Sequence, residues 1–520
     1  MRKTVKKLTA VGLTVTSVLG LVACGSSKGT TSQGTSENKE VTKPDTFTVM
    51  CDGTVVTETN GAEAFYKQLN EATGLDIKWT RPDHASYYDA VANAFNSDDT
   101  MPDVVLLSSD YYALYASNGF LWNMTDAWEH SETKNSGRLI STADNVLSAL
   151  MVNGEDGTKA MYGLSLYRGN GCCTYVKKAW LDKAGIDASK VKDVQMDFNT
   201  YYGYLKQMAQ TMGHYVISSP GFIHPEAPNT NYLPEFYQKA QYTFYKDTSG
   251  KYVDGFAQPE MKEALQRIQT AVNDGVIDKE SVNNSTSNAR DKFYSTDPST
   301  ETGVFSYWAG TWANTLKTNL ANKGLDDELI AIKPIKELGA YTERIAPCWC
   351  ITSAAKNPEG IFKYFIDKML DGGDVQMLWT HGAKGTHWDD KAETVTVEKK
   401  EDQPKTYTEG QFHYLPGIEK PDQWQTKNHI DPILSIANFT NGYVGESLIP
   451  EVARENGEFF AENSQVAVPL PMTSELSNNI GDINTARTYV IAQVALGYMT
   501  VDEGMDYYNK TVGSLSNAVL

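Results

Sequence analysis

Apolar and polar residues alternate along the first part of the chain in a way that predicts strands and helices in turn. Residues 47–50, 75–79 and 103–107 are short apolar runs typical of β-strands. Between them, residues 62–72 and 87–95 carry apolar side chains at helical spacing. The last run is uniformly apolar, which favours a parallel sheet covered on both faces. The pattern therefore predicts an α/β lobe with right-handed crossovers.

A similar pattern returns later in the chain. Residues 172–176 and 303–307 are predicted strands, and residues 178–184 have the spacing of a helix that Gly185 ends. Residues 485–498 and 501–509 are predicted as two closing helices. A second α/β unit is therefore expected.

The first 45 residues differ in composition from the rest. Four cations and no acid precede an apolar stretch at residues 8–23, which is short for a membrane span. The tether at residues 24–45 is polar and is predicted to be flexible. Residues 21–24, Leu-Val-Ala-Cys, resemble a bacterial lipobox. The resemblance implies that residues 1–23 are a signal peptide and that Cys24 is acylated; the alternatives are an ordinary secretion signal or a buried cysteine.

Charge narrows the classes of ligand. The chain has 520 residues, with 65 acidic and 46 basic side chains and a formal net charge of −19. Such a surface repels phosphate backbones, which argues against binding to nucleic acid. It also disfavours polyanionic ligands such as alginate, so a neutral or cationic ligand is easier to reconcile with the whole-chain charge.

The cysteines after residue 24 are predicted to be buried free thiols. Their number is odd, so they cannot all pair within one chain. Neighbouring cysteines on strands are also poorly placed to bridge each other. No further ligands lie near them in sequence, so no metal site is predicted. The five are Cys51, Cys172, Cys173, Cys348 and Cys350.

Five segments resemble, in order, motifs of the family 1 extracellular solute-binding proteins that serve ATP-driven sugar importers, including the large lipoprotein subgroup. They are residues 101–126, which begin MPDVVLLSSD, 175–185 (YVKKAWLDKAG), 303–316 (GVFSYWAGTWANTL), 351–370, and 379–388 (WTHGAKGTHW). The resemblance covers about residues 46–510.

The resemblance implies an α/β fold of two lobes joined by a hinge, with the ligand bound in the cleft between them and the lobes closing over it. The first lobe is expected to comprise residues 46–166 plus 345–425. The second is expected to comprise residues 167–344 plus 426–520.

Two tryptophans are the leading candidates for ligand contact. The resemblance places Trp312 in the cleft, where the family motif has a tryptophan that stacks on a sugar ring. An aromatic plane matches the apolar C–H face of a pyranose. Trp308, at the end of the preceding predicted strand, is the rival candidate. Packing in the core at the strand–helix junction is the alternative for both.

Five further residues are candidates for the ligand site. Asp110 follows the strand at residues 103–107, at the edge where open α/β sheets place ligands, and would accept hydrogen bonds from hydroxyls or cap the next helix. Tyr111 would stack or pack. Arg168, at the crossing between lobes, would reach the ligand or form a salt bridge. Trp349 and Trp388 are candidates whose alternative is a structural role.

These observations predict a lipid-anchored binding protein on the extracellular face of the cytoplasmic membrane. It would capture a carbohydrate, most plausibly an oligosaccharide, as a monomer and deliver it to the permease of an ABC transporter. No cofactor and no metal are predicted. The alternatives are an exported glycoside hydrolase, or a protein of the same fold that binds a peptide or another small solute. The sequence has no H-E-x-x-H, G-x-S-x-G or Walker A motif, which favours a protein that is not an enzyme.

Overall fold

The computed structural model describes residues 40–55, 61–141, 143–223, 230–247, 249, 251–325, 328–395, 404–415, 435–439, 450–467 and 474–519. The predicted signal peptide, Cys24 and most of the tether lie outside the described residues. Within them, no helix is both long and apolar enough to cross a membrane.

The strands form two main sheets and several two-stranded ribbons. The strands are β1 Thr46–Met50, β2 Asp76–Thr80, β3 Val104–Leu107, β4 Met151–Asn153, β5 Lys159–Met161, β6 Gly163–Leu164, β7 Cys172–Lys177, β8 Phe244–Lys246, β9 Tyr252–Asp254, β10 Val304–Trp308, β11 Leu329–Ala331, β12 Tyr341–Glu343, β13 Cys348–Ile351, β14 Trp388–Asp389, β15 Glu393–Val395, β16 Lys405–Tyr407, β17 His413–Tyr414 and β18 Ser464–Val466.

Helices connect and cover these strands. They are α1 Ala62–Thr73, α2 Tyr87–Ala94, α3 Ser109–Ser117, α4 Thr125–Glu129, α5 Glu132–Asn135, α6 Ala143–Ala149, α7 Lys178–Ala184, α8 Ser189–Lys192, α9 Phe198–Met212, α10 Pro234–Tyr237, α11 Pro259–Asn273, α12 Thr286–Phe293, α13 Thr311–Asn322, α14 Pro358–Ile361, α15 Asp374–His381, α16 Glu451–Glu462, α17 Ser474–Ala495 and α18 Val501–Val519. Short 3₁₀ turns lie at His84–Ser86, Gly255–Ala257, Lys279–Asn283 and Asp367–Leu370, and a π-helical turn lies at Phe362–Ile366.

The first sheet has the strand order β2-β1-β3-β13-β6 and lies at the centre of the first lobe. Strand β1 pairs in parallel with β2 and β3, as the alternating pattern predicted, whereas β13 returns antiparallel to β3. All four residues of β3 are buried, because helices and loops cover both faces of the sheet. The carboxyl ends of β1, β2 and β3 therefore meet at one edge.

The second sheet has the order β10-β7-β11 and is antiparallel throughout. All six residues of β7 are buried. The predicted helix after it is confirmed as α7, which ends at Gly185 in the left-handed conformation (φ 69°). The closing helices α17 and α18 pack against each other and against α11. The first begins earlier than predicted, at Ser474, and the second continues to Val519 instead of ending at residue 509.

The chain crosses between the two sheets at residues 165–171 and returns at residues 341–347, with the two segments side by side. A Cβ atom at Gly169 would lie only 1.4 Å from the carbonyl oxygen of Arg344, so only glycine permits this approach. Strand β12 in the returning segment also pairs in parallel with β18, which adds a third segment to the crossing.

The buried residues of the first lobe come from residues 47–166, 345–383 and 436–437. Ile436 and Ala437 belong to this core, although the sequence assigned residues 426–520 to the second lobe. The reason is local pairing, because the Ile436 N–H donates to the carbonyl oxygen of Leu166 at 3.2 Å. The other lobe boundaries stay predictions.

Candidate functional site

A carboxylate–imidazole pair lies at the edge where the parallel strands of the first lobe end. Asp52 follows β1 and His84 follows β2, and Asp52 Oδ2 lies 2.5 Å from His84 Nδ1. Thr54 donates to the same carboxylate through its N–H and its hydroxyl, at 2.8 and 2.7 Å. Burial alone would raise the pKa of Asp52, but these hydrogen bonds outweigh it and hold the pKa below its usual range. The sequence analysis missed this pair, because its two residues come from separate connections, one after β1 and one after β2.

A pair of stacked tyrosines lies along the same edge. Tyr88 and Tyr111 are half-buried, with ring centroids 3.9 Å apart and planes within 6° of parallel. The backbone N–H of Ser108, just after β3, donates to the Tyr88 hydroxyl at 2.9 Å and fixes the ring. Tyr111 thus lies beside the expected cleft edge, while Asp110 lies in the first turn of α3 and its side chain lies outside the described part of the chain.

The second lobe places both candidate tryptophans at the end of β10 and the start of α13. Each is half-buried, so each keeps indole surface open to solvent. Trp308 is the last residue of its strand, opposite Cys172. Trp312 lies in the first helical turn, edge-on to Tyr307 at 5.1 Å. Gly310 has φ 67°, a left-handed conformation that turns the chain between the two indoles.

Hydrogen bonds hold the short loop that carries these tryptophans. The Gly310 N–H donates to Asn456 Oδ1 at 2.7 Å. The Tyr175 hydroxyl lies 3.0 Å from the Trp308 carbonyl oxygen and 3.0 Å from the same Asn456 atom. Asn456 is buried and comes from α16, far along the chain, so no local sequence signal indicated it.

Two arginines lie over the two tryptophan rings, and the sequence analysis missed both. The guanidinium carbon of Arg344 is 5.0 Å from the Trp308 ring centroid, and that of Arg290 is 5.2 Å from the Trp312 centroid. The sequence did carry a signal for Arg344, because it is an arginine in the returning segment between the lobes, just as Arg168 is an arginine in the first crossing.

Arg168 lies in the hinge, where it pairs with Glu343. Its Nη2 donates to Glu343 Oε2 at 2.9 Å, and the two side chains are 12% and 1% exposed. Burial raises the pKa of Glu343, and the charge of Arg168 opposes that rise. The salt bridge that the sequence offered as the alternative for Arg168 is therefore present, and contact of Arg168 with the ligand stays a prediction. The pair joins the two crossing segments.

Trp349 packs in the core of the first lobe, which is the structural alternative that the sequence left open for it. It is 1% exposed and lies edge-on to Phe365 and Trp379, at 6.0 and 5.6 Å. It belongs to β13, an inner strand of the first sheet, which leaves its indole no route to a cleft.

Trp388 is also buried, at 6% exposure. Its Nε1–H donates to the Gly382 carbonyl oxygen at 2.8 Å, and its ring stacks on Phe412 at 5.1 Å. The indole therefore closes the loop of residues 382–388, which is the structural role that the sequence left open for it.

The thiols behave as the sequence predicted. All five cysteines after residue 24 are buried thiols outside any disulfide. No group of three or more histidine, cysteine or acidic side chains within the described ranges is placed to hold a metal ion.

Comparison with known proteins identifies the fold. The sequence matches no protein family and no curated protein. The N-glycan transport solute-binding protein NgtS from Streptococcus pneumoniae has a TM-score of 0.58 at 17% identity, over 92% of this chain and 97% of that chain. An extracellular solute-binding protein family 1 structure from Alicyclobacillus acidocaldarius gives 0.57 at 13% identity, over 92% and 100%. An HMO-binding, ABC-transporter-associated solute-binding protein from Bifidobacterium longum infantis gives 0.57 at 14% identity, over 91% and 96%. The chain has the fold of these proteins, and the predicted two-lobe α/β fold is confirmed.

Proposed function

We propose that this protein captures an oligosaccharide between its two lobes and delivers it to the permease of an ABC importer. The observation that carries the proposal is the pairing of aromatic surfaces: the Tyr88–Tyr111 stack at the edge of the first lobe, and the half-exposed Trp308 and Trp312 on the second. Flat rings match the C–H faces of sugars, and edge polar groups bind the hydroxyls. Two of the similar structures are described as an N-glycan transport protein and an HMO-binding protein, which supports a glycan ligand.

The proposed mechanism is capture by lobe closure. The two described crossing segments, residues 165–171 and 341–347, are closely packed, and the Arg168–Glu343 pair ties them together. Bending there brings the tryptophans of one lobe toward the tyrosines of the other, with the ligand between them. Ligand contacts made only in the closed form drive that closure.

We propose that the protein binds without catalysis. Glycoside hydrolysis uses two carboxyl groups that flank the scissile bond. Asp52 at the cleft edge is held by His84 and Thr54, and Glu343 in the hinge is held by Arg168. These contacts support a structural use of both carboxylates.

A panel of neutral and acidic oligosaccharides, tested by thermal shift with the purified full chain, checks the proposal. We expect at least one glycan to raise the melting temperature, because a ligand at 100 times its Kd stabilises the folded state by about 2.7 kcal/mol. Chromatography of the same mixture should return the glycan intact. Failure of every glycan to bind, or turnover into products, would contradict the proposed function.

We further propose that the protein is a monomer anchored by lipid on Cys24 at the extracellular face of the membrane. Cys24→Ser should release the protein from the membrane fraction or leave its signal uncleaved, because the acyl chains attach to that sulfur. Cell fractionation and the mass of the mature chain provide the measurement. Cys51→Ser is the matched control and should stay anchored. A Cys24→Ser protein that remains both processed and membrane-bound would show that the lipobox interpretation is wrong.

A further inference from the structure

Arg344 is a half-buried guanidinium with no ion-pair partner among the residues that the structure describes. Its backbone N–H donates to the Asn170 carbonyl oxygen at 3.0 Å, and its side chain lies over Trp308. No side-chain hydrogen bond or salt bridge joins it to a described residue. The preceding residue, Glu343, is already engaged by Arg168. Arg344 is therefore a hinge cation whose fork of donors is available to a ligand.

Arg290 is a second cation of this kind. It lies over the rings of both Trp312 and Tyr307 and donates to the Tyr307 hydroxyl at 3.0 Å and the Ser287 hydroxyl at 3.3 Å. No described carboxylate forms a salt bridge with it. Both of its described hydrogen-bond partners are neutral, so its positive charge is not neutralised within the described chain.

Other arginines of the chain show what these two lack. Arg168, Arg267, Arg454 and Arg487 each form an ion pair with a carboxylate, whereas Arg138 donates to the Leu370 carbonyl oxygen. Carboxylates are abundant in this chain, which has 65 acidic and 46 basic residues. Arg290 and Arg344 nevertheless lie over indole rings and form no ion pair with a described carboxylate. The rings that these two arginines cover belong to Trp312 and Trp308, which the proposed function assigns to the ligand.

The location of Arg344 fits a ligand contact. It lies in the returning hinge segment, and its charge acts on the phenol of Tyr88 in the first lobe while its side chain contacts Trp308 in the second. A group bound there would be touched by both lobes. A guanidinium stacked on a ring is already ordered, so it loses less conformational freedom when it binds a planar anion through two parallel hydrogen bonds.

We propose that the ligand is an acidic glycan, and that Arg344, supported by Arg290, binds the carboxylate of a uronic-acid or sialic-acid type residue. This inference rests on the proposed function and names the substrate class for it. It reverses the expectation from whole-chain charge. Charges beyond about 8–10 Å are largely screened at physiological salt, and the acid next to Arg344 in the chain, Glu343, is already paired with Arg168.

Calorimetric titration with matched glycans tests the inference. The pairs are lactose with 3′-sialyllactose, and galactobiose with digalacturonic acid. We expect the acidic member of at least one pair to bind at least tenfold more tightly than its neutral partner. Arg344→Gln should abolish this preference, so that the acidic member binds no more tightly than its neutral partner. Arg344→Lys keeps the positive charge but loses the two parallel donors of the guanidinium, so it should retain part of the preference for the acidic glycan. This variant shows the effect of charge even if Arg344→Gln folds poorly.

Arg454→Gln is the matched control, because Arg454 is a partly exposed arginine paired with Glu458 and should keep the full preference. Equal binding of both members of each pair, or an equal loss of both in Arg344→Gln, would overturn the acidic-glycan inference and leave the proposed function standing. Binding of no glycan at all would overturn both.

Discussion

Arg487→Met is expected to lower the free energy of unfolding by about 3–5 kcal/mol, because it removes one partner of a fully buried ion pair. Arg487 Nη2 donates to Asp254 Oδ1 at 2.8 Å, and the other carboxylate oxygen accepts from the Tyr508 hydroxyl at 2.6 Å. The side chains of Arg487 and Asp254 are 0% and 5% exposed. The variant leaves an uncompensated carboxylate in the core of the second lobe, which urea denaturation would measure.

This cluster joins parts of the chain that are far apart in sequence. Arg487 belongs to α17, Tyr508 to α18 and Asp254 to the end of β9. Aromatic rings also surround the guanidinium, among them Phe244 and Phe256 at 5.1 and 5.8 Å. The buried ion pair therefore attaches the closing helices to the rest of the second lobe, with Asp254 as the partner of the Arg487 charge.

A solvent-exposed ion pair provides the control. Lys262 and Asp502 lie 3.0 Å apart, with side chains 48% and 86% exposed, so Lys262→Met should change stability by less than about 0.5 kcal/mol. In the double variant Arg487→Met with Asp254→Asn, both charges are gone, and the loss should be smaller than the sum of the single losses. Equal stability of Arg487→Met and Lys262→Met would contradict the assignment of a buried pair.

The fold could be predicted well because its signals are local. Uniform burial makes β3 apolar along its whole length, and Gly185 ends α7 in a conformation that glycine adopts most easily. Ile436 and Ala437 depart from the predicted lobe assignment, because the pairing of a returning loop brings them into the first core. That pairing depends on residues hundreds of positions apart, so no pattern near residue 436 could show it.

The site was less predictable, because aromatic residues serve both cores and ligand surfaces. Trp349 and Trp312 both follow or occupy apolar strands, yet Trp349 is enclosed by neighbouring rings while Trp312 stays half-exposed. Arg344 and Asn456 were missed because each acts on a loop from another part of the chain. The charge or polarity of a residue in the sequence does not show which other residues it will contact in the folded site.

Trp312→Ala is expected to weaken binding of the preferred glycan by about tenfold or more, on the order of 1.4 kcal/mol, while the protein keeps its fold. The indole is half-buried against Tyr307 and Arg290, so truncation removes ligand surface and leaves little cavity in the core. Titration calorimetry measures the affinity, and thermal melting of the same protein measures the fold.

Trp349→Ala is the matched comparison, since it truncates the same side chain at a buried site. Its indole is enclosed by Phe365 and Trp379, so the variant should lose roughly 3–5 kcal/mol of stability. Glycan affinity measured well below its melting temperature should be nearly unchanged. Trp312→Ala should thus lower mainly the affinity for glycan, and Trp349→Ala should lower mainly the stability.

The opposite result for Trp312 would have a definite meaning. Unchanged affinity together with a sharply lowered melting temperature would assign Trp312 to the core and make Trp308 the next candidate. Trp308 carries Arg344 on its ring, so Trp308→Ala would then remove the stacking surface and loosen the guanidinium at once. In that case the loss of affinity should be larger for an acidic glycan than for its neutral partner, which links the aromatic contact to the charge of the hinge.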